Sequence, residues 1–104
     1  MCLCGMLAAD YATLPKAMRD SVNSFFDANE HWLVRVLEEG RRTKALRFEG
    51  SAEEEARLLL ASLEGAMLVA RSYGDPARFE AMAERVLASV ASSSRGEQSA
   101  PPAA

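Results

Sequence analysis

Few side chains in this sequence could carry chemistry: Cys2 and Cys4, the single His31, Asn29, and the charged set Arg35, Arg57, Arg71 and Glu64. The cysteines stand at i and i+2, positions that do not face one another on a helix. They are poorly placed for a disulfide within the chain. With no histidine close to them in sequence they make a weak metal site, so no metal is expected, and small buried apolar roles suit them. The arginines with Glu64 could be pressed into holding a dianionic substrate, as in small all-helical mutases. Solvated helix faces give the same spacing, and no polar cluster points into a common cleft. Neither catalysis nor a cofactor is expected.

Asn29 interrupts an apolar stripe between Phe25 and Leu33. A buried amide costs free energy unless it is hydrogen-bonded. Nearby backbone could satisfy it, or a ligand held between helices could. Met6, Tyr11, Phe25 and Trp32 would then supply apolar and aromatic walls around Asn29 for a small apolar effector. The same residue types also serve as plain core.

The basic run Arg41, Arg42, Lys44 and Arg47 follows a helix, where cations complement the negative end of the dipole. The chain has 12 basic and 15 acidic side chains, a net charge of −3, which is the wrong sign for a nucleic-acid surface. No DNA binding is expected from this chain alone. The apolar segment at residues 1–9 is short and lacks a positive start, so it is not a secretion signal. No segment reaches the length of apolar chain that a membrane span needs. A cytoplasmic protein with reduced thiols is the expectation.

These residues sit on an all-α chain. At 104 residues it is one domain. Helices are expected over 3–13, 15–43, 52–73 and 76–91, followed by a Ser-, Gly- and Pro-rich tail over 92–104 that cannot repay the entropy of ordering. The first helix opens at the chain start without a cap, which predicts a chain that begins inside a larger domain. Helix two carries Met18, Val22, Phe25, Phe26, Trp32, Leu33, Val36 and Leu37, and Gly40 weakens its last turn. Ser51 with Glu54 forms a capping box for helix three. Asp75 and Pro76 are the N-cap and first residue of helix four.

Helix three is apolar almost all round, so it must be buried on several sides. Ala61 and Gly65 would let another backbone approach. Helix four bears one stripe, Phe79, Met82, Ala83, Val86, Leu87 and Val90. A chain this small has little material to cover both. Homodimerisation through these last two helices is expected, with Leu59, Leu63, Met67, Met82 and Val86 at the interface.

The order of segments resembles something specific. Leu3-Cys4-Gly5-Met6-Leu7-Ala8-Ala9, Leu14-Pro15, and Phe25, Asn29, Trp32-Leu33 and Val36-Leu37-Glu38-Glu39-Gly40 are similar to the C-terminal region of TetR-family bacterial transcriptional regulators. The likeness continues through Leu46-Arg47-Phe48, Leu59-Leu60-Ala61-Ser62-Leu63-Glu64-Gly65-Ala66, Ala70-Arg71 and Gly74-Asp75-Pro76 to Phe79. It implies an effector-sensing and homodimerisation domain, residues 1–91, whose last two helices form an intermolecular four-helix bundle. It also implies a repressor whose DNA-reading helix-turn-helix lies outside this chain. The alternatives are a free-standing helical dimeric adaptor and the mutase-like enzyme.

Overall fold

The computed structural model describes residues 2–91. The expected tail lies outside the described residues. The chain folds into α1 (Leu3–Ala9), a single 3-10 turn (Tyr11–Thr13), α2 (Lys16–Arg42), α3 (Ala52–Tyr73) and α4 (Pro76–Ala88). α2 packs on α3, α3 on α4, and α1 on α2.

Helix three starts and stops as its sequence predicts. Ser51 Oγ accepts from the Glu54 N–H at 3.1 Å, and Glu53, Glu54 and Glu55 fill the first turn, where negative charge complements the helix dipole. Gly74 ends the helix at φ 60°, a left-handed conformation that glycine reaches without a side-chain clash. Asp75 Oδ1 then accepts from the Ala77 N–H at 3.1 Å and opens α4. Arg78 binds across this turn, its guanidinium 3.6 Å from the centre of the Tyr73 ring and 4.0 Å from the Asp75 carboxylate.

Two helices are shorter than expected. α1 stops at Ala9 rather than running to residue 13, because the Asp10 carbonyl takes both the Thr13 N–H (2.9 Å) and the Thr13 hydroxyl (2.8 Å). That local bonding competes with helix continuation. α4 stops at Ala88 rather than residue 91, and Ala91 pairs as an isolated antiparallel bridge with Leu46. The Arg47 N–H donates to the Val90 carbonyl at 2.8 Å, so the α2–α3 connection is tied to the end of α4.

The core is small. Leu37, 1% exposed, packs with Ala52, Ala56 and Leu59, and Leu33, Val34, Leu46, Phe48 and Val86 close over this cluster. Leu46 and Phe48 thus turn inward, as expected of the connection. The long apolar stripe of α2 divides. Val22 and Leu37 are buried, whereas Met18, Phe25, Trp32 and Val36 are exposed.

Gly40 has a larger role than weakening a helix end. It is buried, and a Cβ there would stand 2.9 Å from the Leu46 Cβ and closer still to the rest of that side chain. Leu46 sits where any other residue would project. Replacing Gly40 by Ala raises helix propensity by about 1 kcal/mol. The forced repacking costs about 1–3 kcal/mol. Gly40→Ala is therefore expected to destabilise the chain despite the better helix former, read as a lower midpoint in urea.

Candidate association and ligand surfaces

The outer flank of the α3–α4 pair is a groove floored by small residues. Ser62, Gly65 and Ala66 line it with Val69 on α3, and Arg78 and Met82 face them from α4, enclosing about 410 Å³. It continues toward the α3 N-terminus as a second opening with Leu58, Arg85 and Ser89. Leu58 is 59% exposed and Met82 48% exposed. A side chain at Gly65 would meet nothing within 4 Å. Large apolar side chains therefore flank a floor on which another backbone could lie close.

The interface residues expected from sequence separate on this surface. Met82 is exposed, and Leu63, Met67 and Val86 are half-buried. Leu59 is buried in the chain's own core with Leu37 and Ala56, leaving 5% exposed where it lines the second opening. Its neighbour Leu58 points to solvent instead. Periodicity missed this because α3 is apolar on adjacent faces, and only the position of α2 selects which one turns inward.

The candidate ligand residues lie on α1, the 3-10 turn and α2. Met6, Tyr11, Phe25 and Trp32 are all exposed. Asn29 is half-buried, and its Nδ2 donates to the Phe25 carbonyl at 2.8 Å, so backbone one turn back satisfies the amide. The Tyr11 hydroxyl accepts from Asn23 Nδ2 at 3.1 Å, and the Arg19 guanidinium lies 5.7 Å from its ring centre. Trp32 lines a shallow groove with Val36, Gly40 and Leu46 at the far end of α2.

The charged residues do not converge either. Arg35 lines the Trp32 groove, Arg71 the α3–α4 elbow, and Arg57 and Glu64 a third groove beside α1. The basic run is used structurally in part. Arg41 donates to the Gly50 carbonyl at 2.6 Å and lies 3.8 Å from the Phe48 ring centre. Arg42 pairs with Glu39, which holds the Glu39 carboxyl below its ordinary value. Among the described residues no group of three or more His, Cys, Asp and Glu is placed to hold a metal ion.

Both cysteines are free and half-buried. Burial lifts the Cys4 thiol above its ordinary value, and the neighbouring Cys2 and the Glu64 carboxylate push the same way.

This geometry defines a class: a short helical domain whose last two helices present a bare, small-residue seam. The tetracyclin repressor-like C-terminal domain matches residues 1–86, and the chain belongs to that family. A TetR-family transcriptional regulator from Agrobacterium tumefaciens is similar at 34% identity and a TM-score of 0.85, the alignment covering 88% of this chain and 48% of that one. E. coli NemR in its reduced form is similar at 27% identity and a TM-score of 0.80, over 88% of this chain and 49% of that one. The chain thus spans about half the length of the solved structures it matches. A search of curated protein sequences returns no match.

The raised Cys4 thiol carries a prediction. Only the thiolate reacts with alkylating agents. The pH profile of iodoacetamide modification at Cys4, followed by mass spectrometry, should have its midpoint above that of an ordinary thiol. Glu64→Gln should lower that midpoint. A profile at or below the ordinary value would contradict the environment described.

Proposed function

We propose that this chain is the effector-sensing and homodimerisation region of a TetR-type transcriptional repressor. Family membership and the likeness to TetR-family regulators support a regulatory, non-enzymatic role. The observation that carries dimerisation is the bare seam: Leu58, Ser62, Gly65 and Val69 on α3 beside Met82 on α4, open to solvent. The apolar side chains left exposed elsewhere on α3 and α4 include Leu68, Tyr73 and Leu87. Contiguous apolar area of this kind marks association. Two copies related by a two-fold axis would bring the seam against itself, the isologous arrangement usual for dimers.

In this reading DNA is read by the half of the regulator that this chain does not match, and the protein works in the bacterial cytoplasm. Among the described residues no helix is long and apolar enough to cross a membrane. Effector binding belongs to the helices ahead of the seam, with Met6, Tyr11, Phe25 and Trp32 as the proposed apolar and aromatic contacts around the polar Asn29. An effector can shift helices only through differential affinity for two arrangements of the domain. α3 is the element that could transmit such a shift, because it touches both α2 and the seam.

Light scattering after size exclusion tests the dimer. Wild type is expected at twice the chain mass. Gly65→Leu fills space that is empty within the chain and improves helix propensity, so it should leave the fold intact while weakening association at least tenfold. Val69→Glu/Met82→Glu should give monomers of unchanged helicity. A monomeric wild type would sink the proposal. A corollary concerns relatives: a chain carrying only the seam should pair with an intact close homologue and block its DNA binding. Co-expression and pull-down should recover mixed dimers, and homodimers alone would rule the corollary out.

A further inference from the structure

A separate groove of about 370 Å³ runs between α1, α2 and α3. Its apolar walls are Ala8, Phe26, Leu60 and Ala61. Small residues on two of the helices, together with Gly5, keep it open. That volume lies at the lower end of small-molecule sites, enough for a compact ligand built on one ring.

Its charges do not balance. Glu30 and Arg57 pair across the rim at 3.5 Å between Oε2 and Nε. Glu64, one turn beyond Leu60 on α3, has no such partner among the described residues. Its Oε2 is shielded from solvent against Gly5 and accepts no hydrogen bond among the described residues. A carboxylate oxygen withdrawn from water without a donor is costly, and the cost is relieved by a cation or an N–H donor. The shielded oxygen stays against Gly5, and the other oxygen of the same carboxylate is the one a ligand in the groove would meet. With Arg57 already matched by Glu30, the groove carries one uncompensated negative charge. Burial first, then Cys2 and the Glu64 carboxylate, raise the Cys4 thiol on α1.

We propose that this groove binds a small organic monocation, an amine or amidinium head on Glu64 with a compact apolar body against Phe26, Leu60 and the alanines. The inference rests on the effector-sensing reading, but it gives the ligand a chemical class and a groove that shares no residue with the Met6, Tyr11, Phe25, Asn29 and Trp32 set. An organic cation is favoured over a metal ion because, among the described residues, no third metal-ligating side chain joins Glu30 and Glu64. Glu64 directly precedes Gly65, so a ligand drawing on this carboxylate acts next to the floor of the association seam.

Calorimetric titration of the purified chain with benzamidine, benzamide and benzoate separates charge from shape. These probes share a ring and differ in head charge. Benzamidine is expected to bind, with benzamide and benzoate at least tenfold weaker. Glu64→Gln, nearly isosteric, should weaken benzamidine about tenfold, the scale of one charge-assisted hydrogen bond. Arg57→Ala frees Glu30 as a second carboxylate and should bind benzamidine at least as tightly as wild type. Should Glu64→Gln fail to fold by circular dichroism, Ala8→Leu decides instead, since it fills the groove without touching its charge and should abolish binding. Equal binding of all three probes, no binding of benzamidine, or undiminished binding to Glu64→Gln would each overturn the site. Undiminished binding to Ala8→Leu would do the same. Light scattering on the same samples keeps the two conclusions apart. A dimer indifferent to benzamidine removes only the cation site. A monomer that binds it removes the dimer and leaves the site.

Discussion

The fold depends on one crossing, where Leu37 of α2 enters the surface of α3 over Ala52 and Ala56. Alanines let the two helix backbones come close enough for a single leucine to fill the gap, and Leu59 closes the pocket one turn further on. Dispersion contacts in such a gap are individually weak and collectively large, and they vanish if the helices separate by a fraction of an ångström. Gly40 extends the same logic. By leaving out a side chain it admits Leu46, which brings the α2–α3 connection onto the core and presents residues 46 and 47 to the end of α4. The loop, α3 and α4 are thus held from one small centre.

That centre is small for what surrounds it. Apolar burial is the dominant favourable term in folding, and conformational entropy opposes it at nearly equal size. A domain that buries seven apolar residues among those described, while leaving large ones such as Leu58, Trp32 and Leu87 in solvent, draws little stability from its own interior. The proposed association seam would answer this deficit. Covering it with a second copy would remove from water the area the chain cannot cover alone, and folding and pairing would then be linked through concentration. α1 buries none of its residues fully, so a ligand bound beside it, as proposed, would add to its packing.

The local punctuation was readable without coordinates. Ser51, Gly74, Asp75 and Pro76 fix their helix ends through bonds made within a few residues, so their types and spacing were sufficient. The resemblance to TetR-family C-terminal domains was legible too, carried by the order and spacing of short segments rather than by any one of them. The ends of α1 and α4 were not. Thr13 turns back on Asp10 within one turn, a competition that helix periodicity does not weigh, and Ala91 leaves the helix to meet Leu46, distant in sequence.

What the chain determined by itself was therefore the helical content, the caps and the family. Tertiary structure decided which face of each helix is inside. α3 is apolar on adjacent faces, so its sequence is equally consistent with Leu58 or Leu59 turned inward, and only the docking of α2 resolves the choice. The same holds for Glu64, which reads as one charge on an amphipathic surface until Gly5 is seen against its carboxylate. Burial is a property of packed elements rather than of residue type, and so the side chains best placed for function emerged only with the fold.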